Sequence, residues 1–544
     1  MLSFLLSLTL LTTFPGNYTQ LNKQAIKEYQ TPIRPGYEGR NPFWNGYAKK
    51  FMYAPAFDFQ EVPNAAQYLF TITAVETTED NSVRGDDDSE TKKEVELQIK
   101  RELKSWSFKA KSPKANLAPV WDKVTPGQVV LRVEALDKKG QVISKVGERK
   151  FMRDYPFQGP YFQAIRPYRE AARMALLYIH QMPAVQNWKE SLEPDMSYKH
   201  YTYVNKIISA TVRAEVQVAK SFPQYREEAI QIAKNAAQFL INESRPAGEK
   251  LAYFPPTYRG DFIASKRNKG LTMTMDACMA GTAFMDLYDL TKEEQYMDRA
   301  LKIADTYAKL QREDGSIPVK VKFETGEPVQ PRGALLTALM SYIRRLQNQY
   351  NNHNYDKVLA KAEQWMQNEI MKSFDLTGQF EDVSVDVQPY QNLTNCTASA
   401  YASYLLSESK PNAKAIQDAK DLLRLSEDQF VYWETPIKPT GVRRLLGPCV
   451  FEQYHYPTPV DNSSCNVANG LMSLYEVTGD KLALAKAIAL MNTLTVVQNH
   501  QNGCAVTTFD YRETKKDKGR TFWMNCSLAT INTWIRLADI LGEK

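Results

Sequence analysis

Eight carboxylates stand where a hydrolytic centre can be assembled: Asp276, Glu381, Asp382, Asp386, Glu434, Glu452, Asp461 and Asp510. Cleaving a glycosidic bond needs two carboxyl groups flanking it, one of them kept protonated as general acid. Asp276 and Asp461 fall at or just before stretches of helical periodicity, where an Asp also serves as an N-cap. The capping alternative is stronger for Asp461, in Val460-Asp-Asn-Ser-Ser464, than for Asp276, between Met275 and Ala277. Glu381 and Asp382 follow Gly378-Gln-Phe380 in a loop, with plain solvent exposure as their alternative. Asp276 is the first choice for catalysis or direct substrate contact, and Asp461, Glu381 and Asp382 follow it.

The polar partners are Lys206, Arg259, Arg332, Arg443, Arg444, His455 and Arg520. A guanidinium matches a carboxylate in two parallel hydrogen bonds, so an Arg suits an acidic sugar. Arg332 follows Pro331 and is expected at the start of a helix, pointing inward, with a structural ion pair as the alternative. His455, between Tyr454 and Tyr456, can bind a hydroxyl or move a proton, or simply pack in its loop. Tyr201, Tyr203, Tyr253, Tyr258, Tyr390, Trp433 and Trp523 are candidate platforms for sugar rings, against the alternative of core filling.

These residues need a scaffold, and the chain supplies one from about residue 160 onward. An Ala-rich amphipathic helix, then a loop, then a more apolar helix rich in small residues recurs along it. The first type is expected at 164–181, 227–241, 295–311, 355–371, 413–426 and 481–497. The second is expected at 204–221, 275–290, 332–349, 396–407, 463–475 and 525–541. Six pairs can close into a ring, an all-α (α/α)6 barrel with the second type inside. Connections from inner to outer helices are short, and those leading into inner helices are long: 242–274, 312–331, 372–395, 427–462 and 498–524. The long loops must gather at one end, around inner-helix N-termini whose free N–H groups favour anions.

Before the ring, residues 51–155 read as a β-sandwich domain resembling fibronectin type III or immunoglobulin modules. Gln67–Thr73 alternates, and 129–136 and 141–143 flank Asp137-Lys-Lys-Gly140 as a hairpin. The acidic run Asp86-Asp-Asp-Ser-Glu90 reads as a solvated loop. The expected division is a signal peptide or its remnant at 1–16, an extension at 17–50, the β domain at 51–155 and the barrel at 156–544. The apolar run from Met1 to Phe14, broken by Pro15-Gly16, fits a secretory h-region and implies a secreted or periplasmic protein. A net charge of +6 from 68 basic and 62 acidic residues, without dense basic runs, argues against nucleic acid. Four of the six cysteines, Cys278, Cys396, Cys465 and Cys526, fall at the starts of inner helices and read as small packing residues. Zinc spacings are missing, so no metal or organic cofactor is implied. Oligomeric state stays open.

Thr274-Met-Asp-Ala-Cys-Met-Ala-Gly281, Ala300-Leu-Lys-Ile-Ala304 and Asp314-Gly-Ser-Ile-Pro318 resemble six-hairpin glycosidases. Asp461-Asn-Ser-Ser-Cys-Asn-Val-Ala-Asn-Gly470 resembles the helix-opening segment of unsaturated glucuronyl hydrolases. Asn41-Pro-Phe-Trp-Asn-Gly46, Phe51-Met-Tyr-Ala-Pro-Ala-Phe57 and Tyr253-Phe-Pro-Pro-Thr-Tyr258 extend the likeness across the chain to glycoside hydrolase family 154, β-glucuronidases of gut bacteria that degrade plant arabinogalactan. That resemblance implies exo-hydrolysis of a terminal glucuronic acid from an acidic glycan. Asp276 matches a catalytic Asp of the glucuronyl hydrolases approximately; their second Asp finds no counterpart. Two other expectations remain beside it: a polysaccharide lyase or uronate C5-epimerase on the same ring, and a non-catalytic glycan-binding protein.

Overall fold

Ala, Leu, Lys, Glu and Gln dominate the outer-helix stretches, and residues of this kind lose little freedom in a helix. The computed structural model describes residues 16–33, 47–77, 98–261, 263–434, 447–456, 458–508 and 522–543. The apolar leader to Pro15, the 41–46 motif, the acidic run 86–90, and Arg443, Arg444, Asp510 and Arg520 lie outside the described residues.

Helix α1 (Tyr18–Tyr29) precedes seven strands. They are β1 (Lys50–Phe51), β2 (Ala56–Asp58), β3 (Gln67–Thr77), β4 (Ile99–Ala110), β5 (Lys114–Asn116), β6 (Gly127–Leu136) and β7 (Val142–Arg153). The main sheet runs β1-β7-β6-β3-β4, with β1 parallel to β7 and the other pairs antiparallel. The expected hairpin is β6–β7, whose turn is held by Asp137 Oδ1 accepting from the Lys139 and Gln141 N–H groups.

The β-sandwich expectation needs correction. Among the described residues there is one five-stranded mixed sheet and a separate β2–β5 ribbon, not two facing sheets. Rings join the two: Phe51 of β1, Phe57 of the ribbon strand β2 and Trp121 pack against Phe151 of β7, with centroids 5.2, 5.8 and 6.3 Å away.

Twelve helices of ten or more residues follow among the described residues. The outer ones are α2 (Tyr168–His180), α4 (Arg226–Asn242), α6 (Glu294–Leu310), α8 (Asp356–Trp365), α10 (Ala413–Phe430) and α12 (Lys481–Val497). The inner ones are α3 (Ser209–Ser221), α5 (Ala277–Thr291), α7 (Thr337–Tyr350), α9 (Asn395–Leu405), α11 (Asp461–Thr478) and α13 (Met524–Leu541). Each inner helix packs on the next, α3–α5–α7–α9–α11–α13, and α13 packs back on α3, so the ring closes.

Small residues let these helices approach. A Cβ on Gly281 of α5 would lie 2.4 Å from the Tyr342 hydroxyl of α7, and that hydroxyl donates to Ala300 O of α6. Three helices therefore meet at one missing side chain. Cys278, Cys396 and Cys526 occupy the first turns of α5, α9 and α13, Cys465 opens the second turn of α11, and all six cysteines are free. Among the described residues no helix is long and apolar enough to cross a membrane.

Three consecutive side chains at the end of α10 join the β-module to the ring. The buried Glu427 carboxylate accepts from Tyr29 and Tyr53 hydroxyls, Trp433 Nε1 and Lys486 Nζ, at 2.5, 2.9, 2.9 and 2.8 Å. Burial pushes this carboxyl up, but Lys486 and its hydroxyl donors win and hold it below its ordinary value. Asp428 accepts from the Met52 and Tyr53 N–H groups, and Gln429 Nε2 donates to Lys50 O at 2.9 Å.

Polar bridges tie the ring at the C-terminal end of the inner helices. Arg345 of α7 meets Asp286 and Asp289 of α5 at 2.6 and 3.0 Å, and Arg536 of α13 donates to Asn469 and Ser473 of α11. They surround an open cavity of about 810 Å³.

Candidate functional site at the N-terminal mouth of the ring

The opposite mouth receives the long loops, and the chemistry gathers there. Lys206 sits in a π-helical turn, Val204–Ile208, that leads into α3. Such turns insert a residue into the helical path and re-aim its side chain. Lys206 Nζ donates to Glu381 Oε1 and lies 5.1 Å from the Trp523 ring centroid. Tyr203 and His200 also pack on Trp523, with centroids 5.2 and 3.9 Å away. Together they make an aromatic wall beside the ion pair.

The Glu381 backbone is fixed as firmly as its carboxylate. Its carbonyl accepts from Tyr258 Oη at 2.6 Å, Lys320 Nζ at 3.0 Å and Asn268 Nδ2 at 3.2 Å. Lys320 Nζ also donates to Val383 O at 2.7 Å. Lys320 lies on β9 (Lys320–Lys322), which pairs with β8 (Leu271–Met273) just before Asp276. One short ribbon thus brings together the Asp276 turn and the Glu381 loop.

Asp276 precedes α5 without capping it. Its Oδ2 accepts from Thr257 Oγ1 at 2.7 Å, and that oxygen in turn accepts from the Met273 N–H at 2.9 Å. Asp461 opens α11, where its carboxylate accepts from the Asn462 N–H at 2.7 Å and from Thr530 of α13 at 3.0 Å. Glu452 follows the β10 (Val431–Tyr432) and β11 (Cys449–Val450) ribbon, and its carbonyl accepts from the Asn395 N–H at the start of α9.

Five carboxyl groups and two lysines in one enclosure cannot all keep ordinary acidities. Burial, then Glu381, pushes Asp276 up to about 6. Burial, then Asp382, pushes Glu452 up to about 7. Burial raises Asp461 well above its ordinary value. Glu381 goes the other way: burial opposes its charge, but Lys206 overcomes that and holds it ionised. Asp382, next to Glu381, is exposed at the edge of the cluster. Burial lowers Lys320 to about 8 despite Asp382 and Glu381, and lowers His200 to about 4.

The structure therefore brings together Lys206, Tyr203, Tyr258, Asp276, Glu381, Asp382, Glu452, Asp461 and Trp523. Lys320, His200 and Thr257 belong with them and were not singled out from the sequence. Lys320 had a faint signal, a Lys within the alternating run Pro318-Val-Lys-Val-Lys322.

Other candidates stand apart. Arg332 lies before α7, which starts only at Thr337, and its guanidinium reaches Val387 O at 3.3 Å and Asp375 at 3.8 Å. The apolar run that shaped the expected helix is spent on buried loop residues 334–336. Arg259 pairs with Glu193 at 3.0 Å and lies over Phe239. His455 is exposed, and Asn392 holds its backbone N–H at 3.0 Å. Tyr390 donates to Ser373 O, and Tyr253 lies under Arg299 and Lys302. Tyr201 bonds within the core to Trp188 and Ala184, and Trp433 serves the Glu427 seam. Glu434 hydrogen-bonds Tyr161 beside that seam, and Asp386 is exposed. Among the described residues no group of three or more His, Cys, Asp or Glu is arranged to hold a metal ion.

No protein-family model and no curated protein matches this chain. Solved structures give loose likenesses. A family 76 glycoside hydrolase from a bovine Bacteroides thetaiotaomicron strain is 10% identical, covering 90% of this chain and 99% of its own, with a TM-score of 0.46. A cellobiose 2-epimerase from Spirochaeta thermophila is 11% identical over 69% of this chain and 98% of its own, at 0.48. An unsaturated glucuronyl hydrolase specific for heparin is 10% identical over 69% of this chain and 97% of its own, at 0.46. Values this low assign no residue a role; the closed ring and the carboxylate cluster rest on the chain's own geometry.

Proposed function

We propose that the chain is a glycoside hydrolase that removes a terminal uronic acid, with β-linked glucuronic acid the leading substrate, from a polysaccharide or oligosaccharide such as arabinogalactan. One observation carries this reading: the long loops bring Asp276 and Glu452 to the same mouth of the ring as the Lys206–Glu381 ion pair and its Trp523–Tyr203 wall, where burial pushes both free carboxyls up. Burial raises both carboxyls, and Glu452, the higher of the two, is taken as the proton donor and Asp276 as the base. Glu452 donates its proton to the leaving oxygen, and Asp276 activates the attacking water. The fixed Glu381 charge stabilises the positive charge that develops on the sugar ring. Lys206 is the cation that faces the sugar carboxylate, and Trp523 with Tyr203 forms the stacking wall. A secreted or periplasmic location belongs to the same proposal.

His200, stacked on Trp523 at 3.9 Å beside the Lys206–Glu381 pair, gives a lyase or C5-epimerase reading its one specific support, because an imidazole placed there can take part in proton transfer. A screen of p-nitrophenyl glycosides including the β-glucuronide, followed by uronic-acid polysaccharides, separates the readings. Release of p-nitrophenol and a saturated uronic acid is expected. A product absorbing at the ultraviolet edge means a lyase, and deuterium uptake at C5 without cleavage means an epimerase. Full turnover by Asp276→Asn would sink the base assignment, and binding without turnover on any glycan would leave a glycan-binding protein.

A further inference from the structure

We infer that the β-module is a buttress for the active site, and that Gln429 and Tyr454 are positioning residues that transmit its hold to Glu452. The inference rests on the assignment of Glu452 as the acid.

The path is continuous. Lys50, on β1 of the module, accepts from Gln429 Nε2 through its carbonyl at 2.9 Å. Gln429 Oε1 accepts from Tyr454 Oη at 2.5 Å. Tyr454 lies two residues beyond Glu452, and the Phe451 N–H before it donates to Phe430 O at 2.9 Å. The segment carrying Glu452 is thus pinned on both sides of that residue to the end of α10. That end is in turn locked onto the module: Asp428 holds two module N–H groups, and Lys50 Nζ bonds both Asp428 O at 2.6 Å and Asp154 at 2.9 Å.

Gln429 is buried, its Nε2 donates to Lys50 O of the module and to Asp428 Oδ2, and its Oε1 accepts from the acid's segment. An amide used in this way fixes the distance between two elements, because both of its ends are committed. A general acid must hold its proton within hydrogen-bond reach of the leaving oxygen, so a small drift of its segment costs rate before it costs binding. The same drift admits water around the carboxyl and lets its acidity relax toward the ordinary value.

The experiment compares Tyr454→Phe, Gln429→Ala and Tyr29→Phe in the full chain. Tyr29→Phe removes a bond at the same seam but none on the path to Glu452. Tyr454→Phe and Gln429→Ala are expected to lower kcat at least fivefold, to change KM less than twofold, and to move the alkaline limb of the pH–rate profile to lower pH. Tyr29→Phe is expected to lower Tm and leave that limb in place. An unchanged limb and kcat in Tyr454→Phe overturns the inference, as does an equal shift in Tyr29→Phe. If the wild-type chain hydrolyses no glycoside, the functional reading has failed. The buttress is then judged by a carboxyl-carbon NMR titration with the Glu452 signal assigned through Glu452→Gln. A Glu452 midpoint that Tyr454→Phe leaves unmoved overturns it.

Discussion

Replacing Glu427 by Gln tests whether the seam between module and ring is held by charge. The wild-type carboxylate accepts two bonds on each oxygen: Tyr29 Oη and Trp433 Nε1 on one, Tyr53 Oη and Lys486 Nζ on the other. A glutamine keeps one acceptor oxygen and turns the other into an N–H₂ facing two donors. Lys486, whose side chain is 4% exposed, then keeps its charge with no counter-ion at 2.8 Å. Breaking a buried pair by removing one partner costs about 3–5 kcal/mol, and that is the expected loss for Glu427→Gln. The double variant Glu427→Gln/Lys486→Met removes the stranded charge and is expected to regain all but about 1–2 kcal/mol, the worth of the hydrogen bonds still missing. Urea denaturation at neutral pH, followed by tryptophan fluorescence, measures both. The pH dependence has a fixed sign. A carboxyl held below its ordinary value stabilises above the unfolded pKa of about 4.3, and that stability is lost as pH falls through the lower folded value. Wild type should lose stability more steeply than Glu427→Gln over that acid range. A single variant within 1 kcal/mol of wild type, or a double variant no better than the single, would refute the charge argument.

Glu452→Gln should fold like the parent and lose about 10²–10⁴-fold in kcat on a β-glucuronide with an alkyl or sugar aglycone, which needs protonation to leave, measured by release of glucuronic acid; retention of a tenth of that activity would remove Glu452 from the acid role. The kcat/KM profile should be a narrow bell, rising through about 6 as Asp276 ionises and falling above about 7 as Glu452 loses its proton. On the same alkaline side KM for the glucuronide should rise faster than KM for a neutral glucoside, because newly charged carboxylates repel the uronate; parallel KM curves would argue against an acidic sugar. Gly281→Ala should destabilise by about 1–3 kcal/mol through overpacking against Tyr342, read as a lower urea midpoint, and an unchanged midpoint would show that α5 and α7 separate without cost.

Much of the ring was legible because its signal is local. Outer helices carry Ala-rich stripes, and the limits 481–497 of α12 coincide with the expected ones. Inner helices announce themselves by small residues, as at Gly281 and the four cysteines near their starts. Where a helix start depends on a loop folding back, the reading slipped. Arg332 and the residues after it look helical, yet α7 starts at Thr337 because Ala334 to Leu336 are drawn into the core ahead of it. In the β-module alternation marks the long strands, but the contacts of Phe51 and Phe57 with Phe151 join residues about a hundred positions apart and are not legible locally.

Which side-chain chemistries are present, and that long loops lead into the inner helices, can be read along the chain, since composition and periodicity are properties of neighbours. Which carboxylates meet depends on the folded chain. Lys206 and Glu381 are 175 positions apart, and Asp461 and Thr530 are 69 apart. Their acidities follow from enclosure and mutual charge, which act through space. No local pattern encodes that a lysine from the turn before α3 lowers Glu381 in its loop while burial raises Glu452 nearby.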